Sequence, residues 1–341
     1  MLTNLLRPWI LARLLSGTAA LALTIIGVLV AWRVLRYWRV GATSEGQLAL
    51  ERRAELVAAL VQVALGISLA NVALTVLSAD RLTHSIRGAM CAWGVFDASP
   101  WGFTALATSG AAAAACAFWV VLHRLDLQLA KPTLTKRKFV ALFLVVPLIA
   151  LDLGVTTRWV LDLDMQVVAS CCSVGLDDAL GASESGTGGP RAWAAWIALA
   201  VASVAALLSF ASWRRPSRAV AMVTALCSAA AGVLALPAIL GYVAPHAYES
   251  PHHLCPFCLL HADVWGLGWP LFGFLFAAAV TGTAIGMVEL QRSASGEPDQ
   301  ISQLERQLGA WAGTCWTLTI LLAALPVVRY AVVTGGASLF P

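Results

Sequence analysis

The residues of this chain that could do chemistry are cysteines and histidines, and they are bunched. Cys255-Pro256-Phe257-Cys258 holds two thiols two residues apart. At that spacing a turn can close a disulfide, or two thiolates can reach one metal ion. His252, His253 and His261 flank the pair, and imidazole with thiolate suits zinc or copper. Cys171 and Cys172 are adjacent. A disulfide between neighbours strains the peptide between them, so pairing with a cysteine elsewhere is easier, and Cys91, beside Met90, is the obvious candidate. Vicinal thiols also hold soft metals together with a third thiol. The residue after Cys258 is Leu259 rather than histidine, which disfavours covalent haem attachment.

What must position these residues is a membrane. The chain of 341 residues is 60% hydrophobic and 12% charged, a balance that places most side chains in lipid. Apolar runs near the spanning length recur at 14–32, 55–78, 103–123, 139–160, 192–213, 219–243, 265–288 and 309–333. The expected fold is an all-α polytopic bundle of about eight spans, forming one integral membrane domain over residues 1–341 with no separate soluble domain. The net charge of +4 is spread over loops and says nothing of nucleic acid. No Gly-rich Lys-Ser/Thr loop for nucleotide hydrolysis is present.

Orientation follows from the basic residues, which cytoplasmic loops retain. Arg33, Arg36, Arg39, Arg52 and Arg53 follow the first span; Arg124, Lys131, Lys136, Arg137 and Lys138 follow the third; Arg214, Arg215 and Arg218 follow the fifth; Arg292 and Arg306, among acids, follow the seventh. The opposite loops are poor in Lys and Arg, and 161–190 carries Asp162, Asp164, Asp177, Asp178 and Glu184 with no basic residue. Arg7 and Arg13 precede the first apolar run, but five arginines follow it, so that run is expected to be an N-out span. Both termini and the cysteine loops 79–102, 161–190 and 244–264 then face outwards, which for a bacterial inner membrane is the periplasm. Cys255 and Cys258 fall where the seventh span should begin, and a helix N-terminus there would make one thiol a nucleophile by favouring its thiolate.

Other residues bear on function. Asp152 lies deep in the fourth run, where a carboxylate is costly and is a candidate proton relay or quinone contact, unless the span ends early and leaves it near the interface. Trp265 and Trp269, with Trp93 and Trp101, suit an interfacial belt, and the first two could also line a flat quinone pocket. Cys116, Cys227 and Cys315 fall inside spans and are expected to pack there. Pro147, Pro237 and Pro326 interrupt even-numbered spans. Residues 47–53 and 300–307 read as short amphipathic surface helices. Their shared triplets Leu50-Glu51-Arg52 and Leu304-Glu305-Arg306 hint at an internal repeat.

Cys255-Pro256-Phe257-Cys258-Leu259 at the start of a transmembrane helix resembles the active-site segment of bacterial vitamin K epoxide reductase homologues. More loosely, it resembles the quinone-coupled disulfide generators of the DsbB type. The resemblance is confined to this motif. It implies a quinone-facing pair, Cys255 and Cys258, and a shuttle pair, Cys91 with Cys171 or Cys172, serving a thioredoxin-like extracytoplasmic partner. Three roles are open from sequence. The first is a membrane thiol–disulfide oxidoreductase using Cys255, Cys258, Cys91, Cys171 and Cys172. The second is a copper- or zinc-handling protein, with His252, His253, Cys255, Cys258, His261, Cys171 and Cys172 as ligands. The third is a structural subunit whose outer cysteines staple loops.

Overall fold

The computed structural model describes residues 5–39, 44–131, 133–166 and 188–340. It is helical, with no strand among the described residues. Eight helices among them are long and apolar enough to cross a membrane. We label these helices α1 (Pro8–Tyr37), α2 (Glu45–Leu82), α3 (Gly102–Gln128), α4 (Thr135–Asp162), α5 (Gly188–Arg214), α6 (Arg218–Ala238), α7 (Gly268–Glu289) and α8 (Pro298–Val333). The protein is an integral membrane protein. Backbone groups in lipid must be satisfied within the segment, and long helices meet that demand.

The chain divides into two compact units, Met1–Ala169 with Ser293–Gln300 and Ser170–Arg292 with Ile301–Pro341. In the first unit α1 packs on α2 and α4, and α3 packs on α2 and α4, giving a closed ring of four. Its apolar core gathers Ala31, Val34, Val61, Leu65, Trp119 and Leu142. Gly27 lets α1 approach closely, since a Cβ there would stand 2.6 Å from Val61 Cγ2. In the second unit α6 lies between α5 and α7. Here α8 seats on α5 through glycine: a Cβ at Gly309 would stand 2.6 Å from the Ser209 carbonyl oxygen. Trp316 of α8 donates to Ser228 of α6 at 3.3 Å.

That close approach makes a prediction. Gly309→Ala forces a methyl group against backbone that cannot yield, and should cost about 1–3 kcal/mol. Gly273, which faces open space, is the control. Thermal melts of the solubilised protein followed by circular dichroism should show a lower Tm for Gly309→Ala and little change for Gly273→Ala.

Two details differ from the sequence expectation. Residues 47–53 and 300–307 are the opening turns of α2 and α8 rather than separate surface helices, because no Gly or Pro stands between either segment and the apolar run that follows it. The Leu-Glu-Arg triplets therefore lie in the second helix of one unit and the fourth of the other. The units correspond elsewhere. In each, a cysteine-bearing connection joins the second and third helices, and a buried acid–base cluster sits at the elbow between the third and fourth. In the first unit Lys138 meets Asp126 at 2.6 Å. In the second, Arg292 meets Glu289 at 2.6 Å and Glu305 at 2.9 Å.

Pro147, Pro237 and Pro326 all lie inside helices. Beyond Pro237 the sixth span loosens into a π turn, Ile239–Val243, before closing as the helix Ala244–Tyr248. Proline removes a ladder hydrogen bond, and π turns accommodate such defects.

Candidate functional site

The thiol pair of the second unit is built on a turn. Pro256 and Phe257 form the bend, and proline at its second position presets φ for it. Cys258–Leu260 continues as a single 3-10 turn. The Sγ atoms of Cys255 and Cys258 come within 4.8 Å of each other. Both residues are buried, so bulk water does not fill the gap between the sulfurs.

The sequence placed this pair at the start of the seventh span, and the structure places it ahead of that start. A second 3-10 turn, Ala262–Val264, intervenes, and α7 begins only at Gly268. Trp265 and Gly266 both take positive φ and turn the chain into the helix. The dipole of α7 therefore does not act on Cys255 or Cys258, because that effect fades within a turn of the helix end.

Neighbouring residues hold the loop in place. Tyr248, the last residue of the sixth span, donates its hydroxyl to the Cys258 carbonyl at 2.8 Å and stacks on His253 at 3.9 Å between centroids. Arg191 donates to the Pro251 carbonyl at 2.8 Å. Trp269 donates its indole N–H to the Leu260 carbonyl at 3.2 Å. The Arg329 guanidinium lies over Trp265 at 5.4 Å and pairs with Glu249 at 3.0 Å. Trp269 is thus a fastener of the loop, and Trp265 is an exposed ring under a guanidinium. His252 is exposed and His253 and His261 are partly so. Among the described residues none of these three histidines joins a ligand-spaced group with the thiols.

The Tyr248 contact is testable. Tyr248→Phe removes one hydrogen bond worth about 1 kcal/mol. It should raise the alkylation rate of reduced Cys258 roughly fivefold, by easing local opening of the loop. An unchanged rate would show that the hydroxyl does not clamp the turn.

Cys91 belongs to the first unit, where it is buried and precedes the short helix Ala92–Asp97. Phe96 of that helix packs on Trp159 at 5.1 Å, and Trp93 meets Phe103 edge-on at 4.7 Å. Gly102 lets α3 begin directly beneath, since any Cβ there would strike the Phe96 backbone. Ser99 donates to Asp162 at 3.0 Å, fixing the loop to the end of α4. Cys171 and Cys172 lie outside the described residues. Cys116 and Cys315 sit in the two apolar cores, as expected.

Asp152 is inside the helical part of α4 and buried. Its partner is Arg13, read from sequence as a flanking charge and found inside α1, 1% exposed. Arg13 Nη2 meets Asp152 Oδ2 at 2.6 Å, and Arg13 Nε donates to Thr75 at 2.7 Å. Ser109 donates to Asp152, and Thr156 closes on the same carboxylate at 3.4 Å. One ion pair with its hydroxyls thus ties all four helices of the first unit together. Arg13, Tyr248 and Arg191 are the residues missed from sequence. The available signal for Arg13 was Asp152 itself, since an intramembrane carboxylate needs a basic partner.

No protein-family model, curated protein or solved structure matches this chain.

Proposed function

We propose that the protein is a membrane thiol–disulfide oxidoreductase that couples dithiol oxidation to quinone reduction. The observation that carries this reading is the buried Cys255–Cys258 pair, its sulfurs within 4.8 Å across a proline turn. A turn clamped by Tyr248, Arg191 and Trp269 keeps the two thiols together in the reduced state, so the disulfide forms and reopens with little rearrangement. Among the described residues none of the three flanking histidines joins the thiols in a ligand-spaced group of three or more, which supports redox chemistry over a mixed Cys/His metal site.

The cysteine ends face the extracytoplasmic side, as the distribution of Lys and Arg supports. In a bacterial inner membrane that side is the periplasm. A thioredoxin-like partner gives up two electrons and two protons there as its dithiol becomes a disulfide. Cys91 with Cys171 or Cys172 receives them, and Cys255 and Cys258 pass them on. As the Cys255–Cys258 disulfide re-forms, a quinone takes the two electrons and two protons and leaves as hydroquinone.

The test is stoichiometric. Anaerobically reduced protein, freed of excess reductant, is mixed with decylubiquinone and the quinone absorbance is followed. The reading predicts one hydroquinone per Cys255–Cys258 pair, lost in the Cys255→Ser variant. A reduced protein inert to quinone refutes the coupling.

A further inference from the structure

We infer that His246 and the rings around it form the quinone headgroup site of the second unit, with His246 Nε2 exchanging a proton with the quinone oxygen. This rests on the quinone-coupled reading and names a residue that the sequence did not single out.

His246 lies in the last turn of the sixth span and is 5% exposed. Its Nδ1 stands 2.7 Å from the Tyr242 carbonyl oxygen. A carbonyl only accepts, so Nδ1 carries the proton and Nε2 keeps a lone pair. Tyr242 belongs to the π turn Ile239–Val243, so the helical defect beyond Pro237 positions the carbonyl that fixes the tautomer. Among the described residues no hydrogen-bond partner faces Nε2. The residue is nearly buried, and an acceptor without a partner in the described protein can take a donor that arrives from elsewhere.

Aromatic rings enclose the imidazole. Tyr242 lies 4.4 Å away between centroids, Tyr330 meets it edge-on at 5.5 Å, and Phe340 lies at 5.6 Å. Such walls suit a flat, lipid-soluble ring rather than an ion. No thiol, carboxylate or second imidazole forms a ligand-spaced group with His246 among the described residues, so the metal alternative lacks its other ligands. The same frame reaches the thiol loop from two sides. Arg191 covers Phe340 at 5.8 Å while holding Pro251, and Tyr248, two residues beyond His246, holds Cys258.

The balance is simple. Two thiols lose two electrons and two protons as the S–S bond forms, and the quinone gains both to become hydroquinone. Nε2 accepts one proton released on the thiol side and gives it to a quinone oxygen. In the reverse direction it accepts the hydroquinone O–H as a hydrogen bond.

The experiment measures anaerobic equilibrium binding of decylubiquinol, the hydroquinone whose O–H Nε2 can accept, to the full-length protein carrying Cys255→Ser and Cys258→Ser, so that no turnover intervenes. Adding His246→Phe should raise the dissociation constant about tenfold, the loss of one well-placed hydrogen bond in a dry site. Phe340→Ala removes a wall without touching the imidazole and should also weaken binding. An azido-quinone should crosslink to peptides containing residues 242–248 or 326–340. Wild-type affinity in both variants, or crosslinks confined elsewhere, overturns the site. Binding that depends on His246 together with thiols inert to quinone keeps the site and refutes the coupling. Quinone oxidation of Cys255–Cys258 with wild-type binding in both variants keeps the coupling and refutes the site.

Discussion

Replacing either Cys255 or Cys258 with serine is expected to stop quinone reduction by dithiols, a loss on the order of a thousandfold or more, down to the uncatalysed rate. The reason is that the Cys255–Cys258 disulfide needs both sulfurs, which the turn brings together. The surviving thiol should accumulate as a mixed disulfide with whatever dithiol is supplied. Cys91→Ser should behave differently. It should slow oxidation of a thioredoxin-like protein substrate while leaving quinone reduction by dithiothreitol intact, because a small dithiol reaches the quinone-facing pair without the shuttle. Cys116→Ser and Cys315→Ser, which alter the packed cores, should not change turnover per folded molecule. Turnover assays with hydroquinone as product distinguish these outcomes. Equal loss in all variants would mean that the cysteines matter for folding alone.

The largest effect on stability is expected at the Arg13–Asp152 pair. Arg13→Gln or Asp152→Asn leaves one buried charge with its counter-ion gone and hydroxyls aimed at the wrong partner. Breaking a buried pair in this way costs about 3–5 kcal/mol. Replacing both with apolar residues, Arg13→Met with Asp152→Leu, removes both desolvation costs and should recover most of that loss. Denaturation of the solubilised protein, compared across the two single variants and the double, gives the coupling directly. Single variants as stable as the wild type would show that the pair is not what holds α1 against α4. A double variant that is stable yet slow in turnover would instead give Asp152 a part in proton movement.

Much of the fold was legible from sequence because lipid imposes so strict a rule. All eight apolar runs became helices, and Cys116 and Cys315 fell into cores as their setting demanded. The division into two units was hidden, since the loops between spans look alike whether they join neighbours within a unit or two separate units. Arg13 was misread because basic residues usually flank a span rather than enter it; its buried carboxylate partner is more than a hundred residues away. The thiol motif was recognisable, but its local geometry was not. Leu259 and Leu260 continue the apolar run and mimic a helix start, yet the chain makes two 3-10 turns and takes positive φ at Trp265 and Gly266 before α7 begins. His246 carried no motif at all, and its setting depends on a π turn that sequence periodicity does not register.

The measurement that bears most directly on the redox reading is the oxidation state of Cys255 and Cys258 through one cycle. Protein purified without reductant is acid-quenched, alkylated and mapped by peptide mass, then reduced, given decylubiquinone and mapped again, with metal content determined on the same samples. The account predicts a Cys255–Cys258 disulfide that is lost on reduction, returns with quinone, and forms without stoichiometric copper or zinc. Thiols that stay reduced with quinone, and that become reactive to alkylation only when a bound metal is stripped, would contradict it.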